Sequence, residues 1–168
     1  APCHRALAPM CLIALAIHAH PRYPLILAAN RDEFYHRPTA PLGFWPDHPE
    51  ILAGRDLEKN GTWLGVTKTG RMAAITNFRE PAAMDSGAPS RGQLVSDFLV
   101  SGQSPENYLR AVRNSGKNYN GFNLVAGNIH ELWWYSNKKQ DIVKITPGIH
   151  AISNHLLDTV WPKTRKIT

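Results

Sequence analysis

The chain has 168 residues, 43% of them hydrophobic and 19% charged, which is typical of one folded domain and excludes an intrinsically disordered chain. No stretch approaches the roughly 18 consecutive apolar residues of a membrane-spanning helix. The formal net charge of +6 invites a nucleic-acid partner, but the Lys and Arg residues are scattered, and no zinc-finger, RNP-like or basic-helix pattern occurs. We therefore expect a solvated basic surface and no nucleic-acid binding.

The first residues of the chain are irregular. Residues 1–9 contain two prolines and no periodic pattern, which predicts a disordered tail or a processed segment ahead of a single domain over residues 10–168. The two cysteines, Cys3 and Cys11, provide neither a disulfide framework nor a zinc-binding spacing. This sparse use of cysteine favours a reducing compartment, so we expect a cytoplasmic protein. Because no metal-binding spacing occurs, we also expect no metal and no other cofactor.

Two apolar runs of strand length come next, at residues 10–17 and 25–29. The connection between them contains two prolines, and we expect the runs to pair as a hairpin. Such a hairpin brings Cys11 and Arg31, at its two far ends, close together.

The second of these strands ends in an unusual charge cluster, Asn30-Arg31-Asp32-Glu33. An ion pair within a charged turn would explain the cluster. A binding site would explain it equally well, because buried charges require partners and functional groups collect in such places.

Residues 36–50 carry four prolines around Phe44 and Trp45. This composition predicts an ordered loop without regular structure, placed beside a pocket. Short strands are then expected at residues 51–54, 62–67 and 71–76.

Two helices are predicted in the middle of the chain. Ser90-Arg91-Gly92-Gln93 has the form of a capping box and predicts a helix to about residue 100. Ser104-Pro105 combines an N-cap with a first-turn proline and predicts a second helix that ends before Ser115. Closely spaced strands follow at residues 122–126, 131–135, 141–145 and 148–152, which predicts antiparallel meanders and an α+β fold.

Cys11 is the strongest candidate for chemistry. If the protein begins at Met10 and this methionine is removed, Cys11 becomes the first residue and carries both a thiol and a free α-amine, whose pKa of about 8 lets it accept the thiol proton. Arg31 would then favour the thiolate, and Asp32 could hold the amine. The alternative is that Cys11 is a small buried hydrophobic residue, as many cysteines are.

Two asparagines follow predicted strands, Asn77 after residues 71–76 and Asn154 after residues 148–152. Side-chain amides in these positions could donate hydrogen bonds to an oxyanion. They could also serve only as turn formers.

Many short motifs of the chain point to one known family. They are Met10-Cys11-Leu12-Ile13, Ala29-Asn30-Arg31-Asp32-Glu33, Arg37-Pro38, Gly54-Arg55-Asp56, Gly61-Thr62-Trp63-Leu64-Gly65, Thr76-Asn77-Phe78-Arg79, Ser90-Arg91-Gly92, Gly121-Phe122-Asn123-Leu124, Ser153-Asn154, Leu157-Asp158-Thr159 and Trp161-Pro162-Lys163. Together, and in this order, they resemble the NRDE family, also called the transport and Golgi organisation 2 family.

The resemblance implies a fold similar to that of N-terminal-nucleophile hydrolases, a four-layer αββα sandwich with antiparallel sheets, and especially to the branch that contains penicillin V acylase, bile-salt hydrolase and acid ceramidase. By that similarity Cys11 would be the nucleophile and the base, with Arg31 and Asp32 tuning and holding it. Asn77 would donate to the oxyanion, and Asn154 would orient the amine or the intermediate. Substrate binding is expected from Asn30, Glu33, Phe44, Trp45, Trp63 and Asn123.

The chain departs from the family pattern in two ways. Residues 1–9 precede Met10, and while they remain, the amine of Cys11 is held in a peptide bond. Family members are also longer at the C-terminus, which implies that a C-terminal part of the domain is missing here.

We therefore expect a cysteine hydrolase that acts on a non-peptide C–N amide bond of a small molecule. The alternative is a non-catalytic protein that binds or carries haem, a lipid or an acyl thioester in the same cleft, since family members are associated with secretory organisation, mitochondrial lipid metabolism and haem trafficking. For haem, His36, His48 and His155 would be the candidate iron ligands.

Overall fold

The computed structural model describes residues 11–31, 33, 36–80 and 85–160. The predicted tail at residues 1–9 lies outside this part of the chain, and so does Asp32. The elements are β1 (Leu12–Ile17), β2 (Leu25–Asn30), β3 (Thr39–Phe44), β4 (Ile51–Asp56), β5 (Leu64–Thr67), β6 (Arg71–Asn77), α1 (Gly92–Val100), α2 (Pro105–Ser115) with a short 3₁₀ turn after it (Gly116–Asn118), β7 (Phe122–Asn128), β8 (Leu132–Ser136), β9 (Ile142–Lys144) and β10 (Gly148–Ile152).

The strands form two antiparallel sheets, so the α+β prediction is confirmed. The small sheet has the order β10-β1-β2, and the large sheet has the order β3-β4-β5-β6-β7-β8-β9. The predicted β1–β2 hairpin is confirmed, with Leu12 opposite Asn30 at its open end. The predicted meander covers β7, β8 and β9, but β10 leaves it and pairs with β1. Its Ile152 lies opposite Ile13 and joins the core between the two sheets.

The large sheet is covered on both faces, because successive side chains of a strand point to opposite sides. In β6, Ala73 and Ile75 pack with Phe98 and other residues of the helices, whereas Met72 and Ala74 pack with Leu15 and other residues of the small sheet. This explains why the middle of β6 is a continuous apolar run. The described residues therefore form three layers: helices, large sheet and small sheet.

The resemblance predicted a four-layer sandwich. In the part of the chain that the structure describes, no helix packs on the outer face of the small sheet. The antiparallel sheets and one helical layer are present, and the N-terminal-nucleophile type of sandwich stays a prediction. None of the described helices is long and apolar enough to cross a membrane.

The predicted irregular loop at residues 36–50 is wrong in its first half, where β3 forms. Pro41 lies within this strand, but β3 is at the edge of the sheet, and its register with β4 shifts between Ala40 and Gly43. An edge strand with a bulge tolerates proline because the missing N–H group would not have joined a ladder bond on the open side.

The start of α1 also differs from the prediction. Its N-cap residue is Arg91, without a side-chain cap, so the expected capping box does not form. The start is instead set by packing: a Cβ on Gly61 would lie 2.6 Å from the carbonyl carbon of Gly92, and the N–H of Thr62 donates to the Gly92 oxygen at 3.2 Å. The cap of α2 is confirmed, because Ser104 Oγ accepts from a backbone N–H in the first turn.

Arg71 joins β6 to the C-terminal end of α1, and its replacement by methionine is expected to destabilise the fold by about 2 kcal/mol. Its Nη2 donates to the carbonyl oxygens of Phe98 and Gln103, both at 3.0 Å, and its guanidinium lies 4.1 Å from the centre of the Phe98 ring. Urea unfolding measures the loss. The matched control is Arg110→Met, which removes an exposed i,i+4 pair with Glu106 and should cost at most about 0.5 kcal/mol. Equal losses in the two variants would contradict this role of Arg71.

Candidate functional site

A cavity of about 430 Å³ lies where strand ends from both sheets meet the start of α1. Cys11 precedes β1, Arg31 follows β2 and Asn77 ends β6, and all three line the cavity. Other parts of the wall come from β4 and from residues 85–92. The volume is in the range of cavities that hold small molecules.

Three of the predicted catalytic residues therefore share one cavity: Cys11, Arg31 and Asn77. The hairpin explains the first two, because it places the residues before β1 and after β2 at the same end of the small sheet. Two predicted substrate-binding residues, Glu33 and Trp63, line the same cavity.

The backbone at Cys11 is anchored by a buried polar network that connects the two sheets. Ser153 Oγ donates to the carbonyl oxygen of Cys11 at 2.9 Å, and Thr76 Oγ1 donates to the carbonyl oxygen of Ser153 at 2.9 Å. The side chain of Cys11 itself is largely covered, with 7% of the residue exposed. Ser153 and Thr76 were not predicted as site residues, although both lie in motifs of the resemblance.

Asn154 lies behind Asn77 rather than in the cavity wall. Its Nδ2 donates to the backbone carbonyl of Asn77 at 3.0 Å, so it holds the end of β6 in place. Its Oδ1 is buried and has no hydrogen-bond partner among the described residues, which is unusual for a buried amide. By contrast, the side-chain amide of Asn77 makes no hydrogen bond to any described residue and stays available on the cavity side.

Asn123 was predicted to bind substrate, but it is 1% exposed and does not line the cavity. Its Nδ2 donates to the carbonyl oxygen of His155 at 2.8 Å and to Thr76 Oγ1 at 3.3 Å. These bonds fix the turn after β10 against the large sheet, so Asn123 acts on the site through the turn that carries Ser153 and Asn154.

The other predicted substrate-binding residues are placed elsewhere. Asn30 ends β2 but does not line the cavity. Phe44 is 54% exposed at the end of the edge strand β3, whereas Trp45 is 4% exposed and donates its Nε1–H to the Ala53 carbonyl. The interpretation of Phe44 and Trp45 as pocket residues does not fit this cavity, because one faces solvent and the other packs under the helices.

The cavity wall is rich in cations, and apart from Arg31 the sequence alone did not assign them to the site. Among the described residues, five with a cationic side chain and three with a carboxylate line the cavity. The cations are Arg31, Arg37, Arg55, Lys59 and Arg91, and the carboxylates are Glu33, Asp56 and Asp85. Most of these arginines belong to motifs that were quoted for the resemblance without a role, which is the signal that could have identified them.

The carboxylate of Asp56 accepts hydrogen bonds from Arg37 and from two backbone N–H groups. Arg37 Nη2 and Nε donate to its Oδ2 at 2.6 and 3.0 Å. Burial alone would raise the pKa of Asp56, but the hydrogen bonds from Arg37 and from the backbone N–H groups of Glu58 and Lys59 hold it below its ordinary value. The same hydrogen bond raises the pKa of Arg37, so both groups stay charged.

Within the described ranges, no cluster of three or more His, Cys, Asp or Glu residues could hold a metal ion. The candidate iron ligands His36, His48 and His155 do not line the cavity. His48 lies 3.6 Å from Glu50. His155 contacts Thr159 Oγ1 at 3.1 Å, and its ring packs at a tilt against that of Phe78.

Comparison with known proteins gives a consistent result. The model of the family "Transport and Golgi organisation 2" matches residues 10–168. The chain is 41% identical over 167 residues to the transport and Golgi organization protein 2 homologs of Bos taurus and Homo sapiens, and each alignment covers 92% of this chain and 60% of the relative. The transport and Golgi organization protein 2 of Drosophila melanogaster is 33% identical over 132 residues, covering 70% of this chain and 45% of the relative. The chain thus spans about 60% of the length of the mammalian relatives.

Proposed function

Because the chain belongs to the transport and Golgi organisation 2 family, we propose that it is a cysteine N-terminal-nucleophile hydrolase that cleaves a C–N amide bond of a small molecule. The observation that carries the proposal is the convergence of Cys11, Arg31 and Asn77 on one cavity from the ends of three strands in two sheets. A thiol, a cation and an available amide donor are the groups that acyl transfer to cysteine needs.

In the proposed reaction the α-amine of Cys11 accepts the thiol proton, and the thiolate attacks the amide carbonyl carbon. Asn77 Nδ2 donates to the oxyanion that forms. The C–N bond then breaks, the protonated amine gives its proton to the leaving nitrogen, and a thioester on Cys11 remains. Water, deprotonated by the same amine, attacks the thioester carbonyl carbon. The C–S bond breaks, the acid is released, and the protonated amine returns its proton to the Cys11 sulfur.

The residues around Cys11 would position these groups. Ser153 holds the Cys11 carbonyl, which limits rotation of the residue that carries both thiol and amine. The buried Oδ1 of Asn154, which has no partner in the described part of the chain, would accept a hydrogen bond from the α-amine or from the intermediate. Arg31 would favour the thiolate, and Asp32, in its role implied by the resemblance, would hold the amine.

The alternative is a non-catalytic protein that uses the same cavity for a lipid or an acyl thioester. The excess of cations in the wall supports it, because phosphate and carboxylate groups of such ligands would be attracted there. The haem version has less support, because the three candidate histidines lie outside the cavity wall.

The proposal requires Cys11 to be the first residue, so the test compares two forms of the chain. One retains residues 1–10 and the other begins at Cys11, as verified by intact mass spectrometry. We expect release of p-nitroaniline from a panel of small acyl p-nitroanilides to be about 100-fold faster for the second form, because only that form has the amine base.

The proposed mechanism also predicts an acyl adduct on Cys11 in the form that begins at this residue. Mass spectrometry would detect the adduct as an added mass. If the Cys11 thiol of the second form reacts with a thiol-directed probe no faster than a model thiol does, and no acyl adduct forms, the hydrolase mechanism fails. Tight binding of a lipid or an acyl thioester without turnover would then favour the alternative.

A further inference from the structure

The cations that line the cavity differ in whether a carboxylate pairs with them. Arg31 pairs with Glu33, Arg37 with Asp56, Arg55 with Asp47 and Lys59 with Glu58, each with a nitrogen to oxygen distance of at most 3.5 Å. For Arg91, no carboxylate of the described residues lies within ion-pair distance. Arg91 is thus the one cation of the described wall whose charge is not balanced by a neighbour.

The guanidinium of Arg91 is held with its binding edge available. Its Nη1 donates to the carbonyl oxygen of Gly121 at 2.9 Å, and its Nε and Nη2 donate to no described residue. The Nε and Nη2 groups together form the edge of arginine that binds a carboxylate or a phosphate with two parallel hydrogen bonds. The Gly121 contact therefore orients Arg91 and leaves this edge unused.

The backbone position of Arg91 is determined by close packing. Arg91 is the N-cap of α1, and the next residue, Gly92, meets Gly61 so closely that a Cβ on Gly61 would lie 2.6 Å from the Gly92 carbonyl carbon. The positive end of the α1 dipole faces the same part of the cavity, because Ser90, Arg91 and Gly92 all line the wall.

Electrostatics agree with a cation that lacks a partner. Burial lowers the pKa of the Arg91 guanidinium from its ordinary value, the charges of Cys11 and Glu33 oppose this shift, and that of Arg37 adds to it. Arg91 therefore lies within electrostatic range of Cys11, and an anion bound to it would relieve the cost of its burial.

We propose that Arg91 is an anion-binding residue of this cavity and that the small-molecule ligand carries a carboxylate or phosphate group that Arg91 binds beside Cys11. Identification of this ligand with the substrate rests on the proposed hydrolase function, whereas the anion site itself does not. In the hydrolase, Arg91 would select amides whose acyl or amine portion bears a negative charge.

The test uses the 168-residue chain and two alkylating reagents of nearly equal size, anionic iodoacetate and neutral iodoacetamide. Their rates at Cys11 are measured on the tryptic peptide, which excludes Cys3 because Arg5 lies between the two cysteines. The quantity of interest is the iodoacetate to iodoacetamide rate ratio, divided by the same ratio for N-acetylcysteine methylamide. We expect this normalised ratio to be about 10, because Arg91 would bind the carboxylate of iodoacetate and bring the reagent next to the thiol.

Arg91→Met should lower the normalised ratio by about tenfold, and Arg91→Lys, which keeps the charge and loses the two-pronged edge, should give an intermediate value. The ratio separates anion binding from thiol activation, since a change in the thiolate fraction alters both rates equally. The matched control is Arg110→Met, which removes one exposed charge that is not part of the cavity wall and should leave the ratio unchanged. An unchanged ratio in Arg91→Met would overturn the proposal.

A second measurement on the unsubstituted chain keeps the proposal testable if Arg91→Met does not fold. Sodium acetate and inorganic phosphate, at constant ionic strength, are tested for protection of Cys11 against iodoacetamide. Protection by acetate supports a carboxylate ligand and protection by phosphate supports a phosphate ligand, whereas protection by neither, together with a normalised ratio of one, refutes the site. Because alkylation needs no free α-amine, a negative result here leaves the hydrolase proposal standing, and absent hydrolysis leaves the anion site standing.

Discussion

Replacing Cys11 by alanine is expected to abolish amide hydrolysis in the form of the chain that begins at this residue, with a loss in kcat of about 10⁴-fold or more. The thiol forms the covalent bond to the acyl group, and no other described residue in the cavity wall offers a comparable nucleophile together with its own amine base. Initial rates of p-nitroaniline release measure the effect, and intact mass spectrometry should show that the acyl adduct is lost.

Cys11→Ser provides the sharper control for this prediction. The hydroxyl keeps the shape of the residue and the α-amine, but it ionises much less readily than a thiol, so we expect a slow enzyme rather than an inactive one. Both variants should fold, because each changes one small side chain whose backbone stays anchored by Ser153. Hydrolysis by Cys11→Ala at the original rate would show that another group carries the reaction.

Replacing Asn77 by alanine is expected to reduce kcat by about 10² to 10³-fold with little change in KM. The side-chain amide of Asn77 makes no hydrogen bond to the described residues, so we expect the substitution to leave the fold intact. The free energy of unfolding, measured in urea, should change by less than about 0.5 kcal/mol. A donor that acts only on the oxyanion strengthens its bond in the transition state, and its loss therefore appears in kcat.

Asn77→Asp tests whether donation or shape is responsible. The carboxylate has the same size but accepts hydrogen bonds and repels an oxyanion, so its loss of activity should be at least as large as that of Asn77→Ala. Asn114→Ala, an exposed asparagine on α2, is the matched control and should change neither constant. A raised KM with unchanged kcat would assign Asn77 to ground-state binding instead.

These two experiments, together with that on Arg91, would separate three roles within one cavity. The Cys11 variants test the formation of the covalent acyl intermediate. The Asn77 variants test stabilisation of the oxyanion in the transition state, which is measured as a change in kcat. Arg91 is tested by the preference between an anionic and a neutral reagent of equal size. The binding alternative predicts that only the third experiment gives an effect.

The residues that hold the site are as important as those that line it. Ser153 and Asn154 lie in the turn after β10. Ser153 bonds to the backbone of Cys11, just before β1 of the small sheet, and Asn154 bonds to the backbone of Asn77, at the end of β6 in the large sheet. Asn123 secures the same turn from β7. This turn therefore joins the two sheets at the place where the proposed nucleophile and oxyanion donor meet.

Short-range sequence patterns are enough to predict most of the strands and helices and the Cys11–Arg31 part of the site. The two apolar runs of strand length and the prolines at 21 and 24 between them are sufficient to predict the β1–β2 hairpin, and this hairpin places Cys11 beside Arg31. The Ser104 cap of α2 was predictable for the same reason, because a cap depends on residues only three positions apart. The motifs in order also identified the family.

The residues that complete the cavity come from distant parts of the chain, and long-range contacts bring them together. Pairing of β10 with β1 and the edge position of β3 depend on contacts between residues far apart in the chain, which local periodicity does not encode. The same holds for Trp45, which packs under the helices instead of lining a pocket. Arg91 reaches the cavity because Gly61 and Gly92 allow a loop and a helix start to touch, and no pattern within the segment around Ser90 specifies that contact.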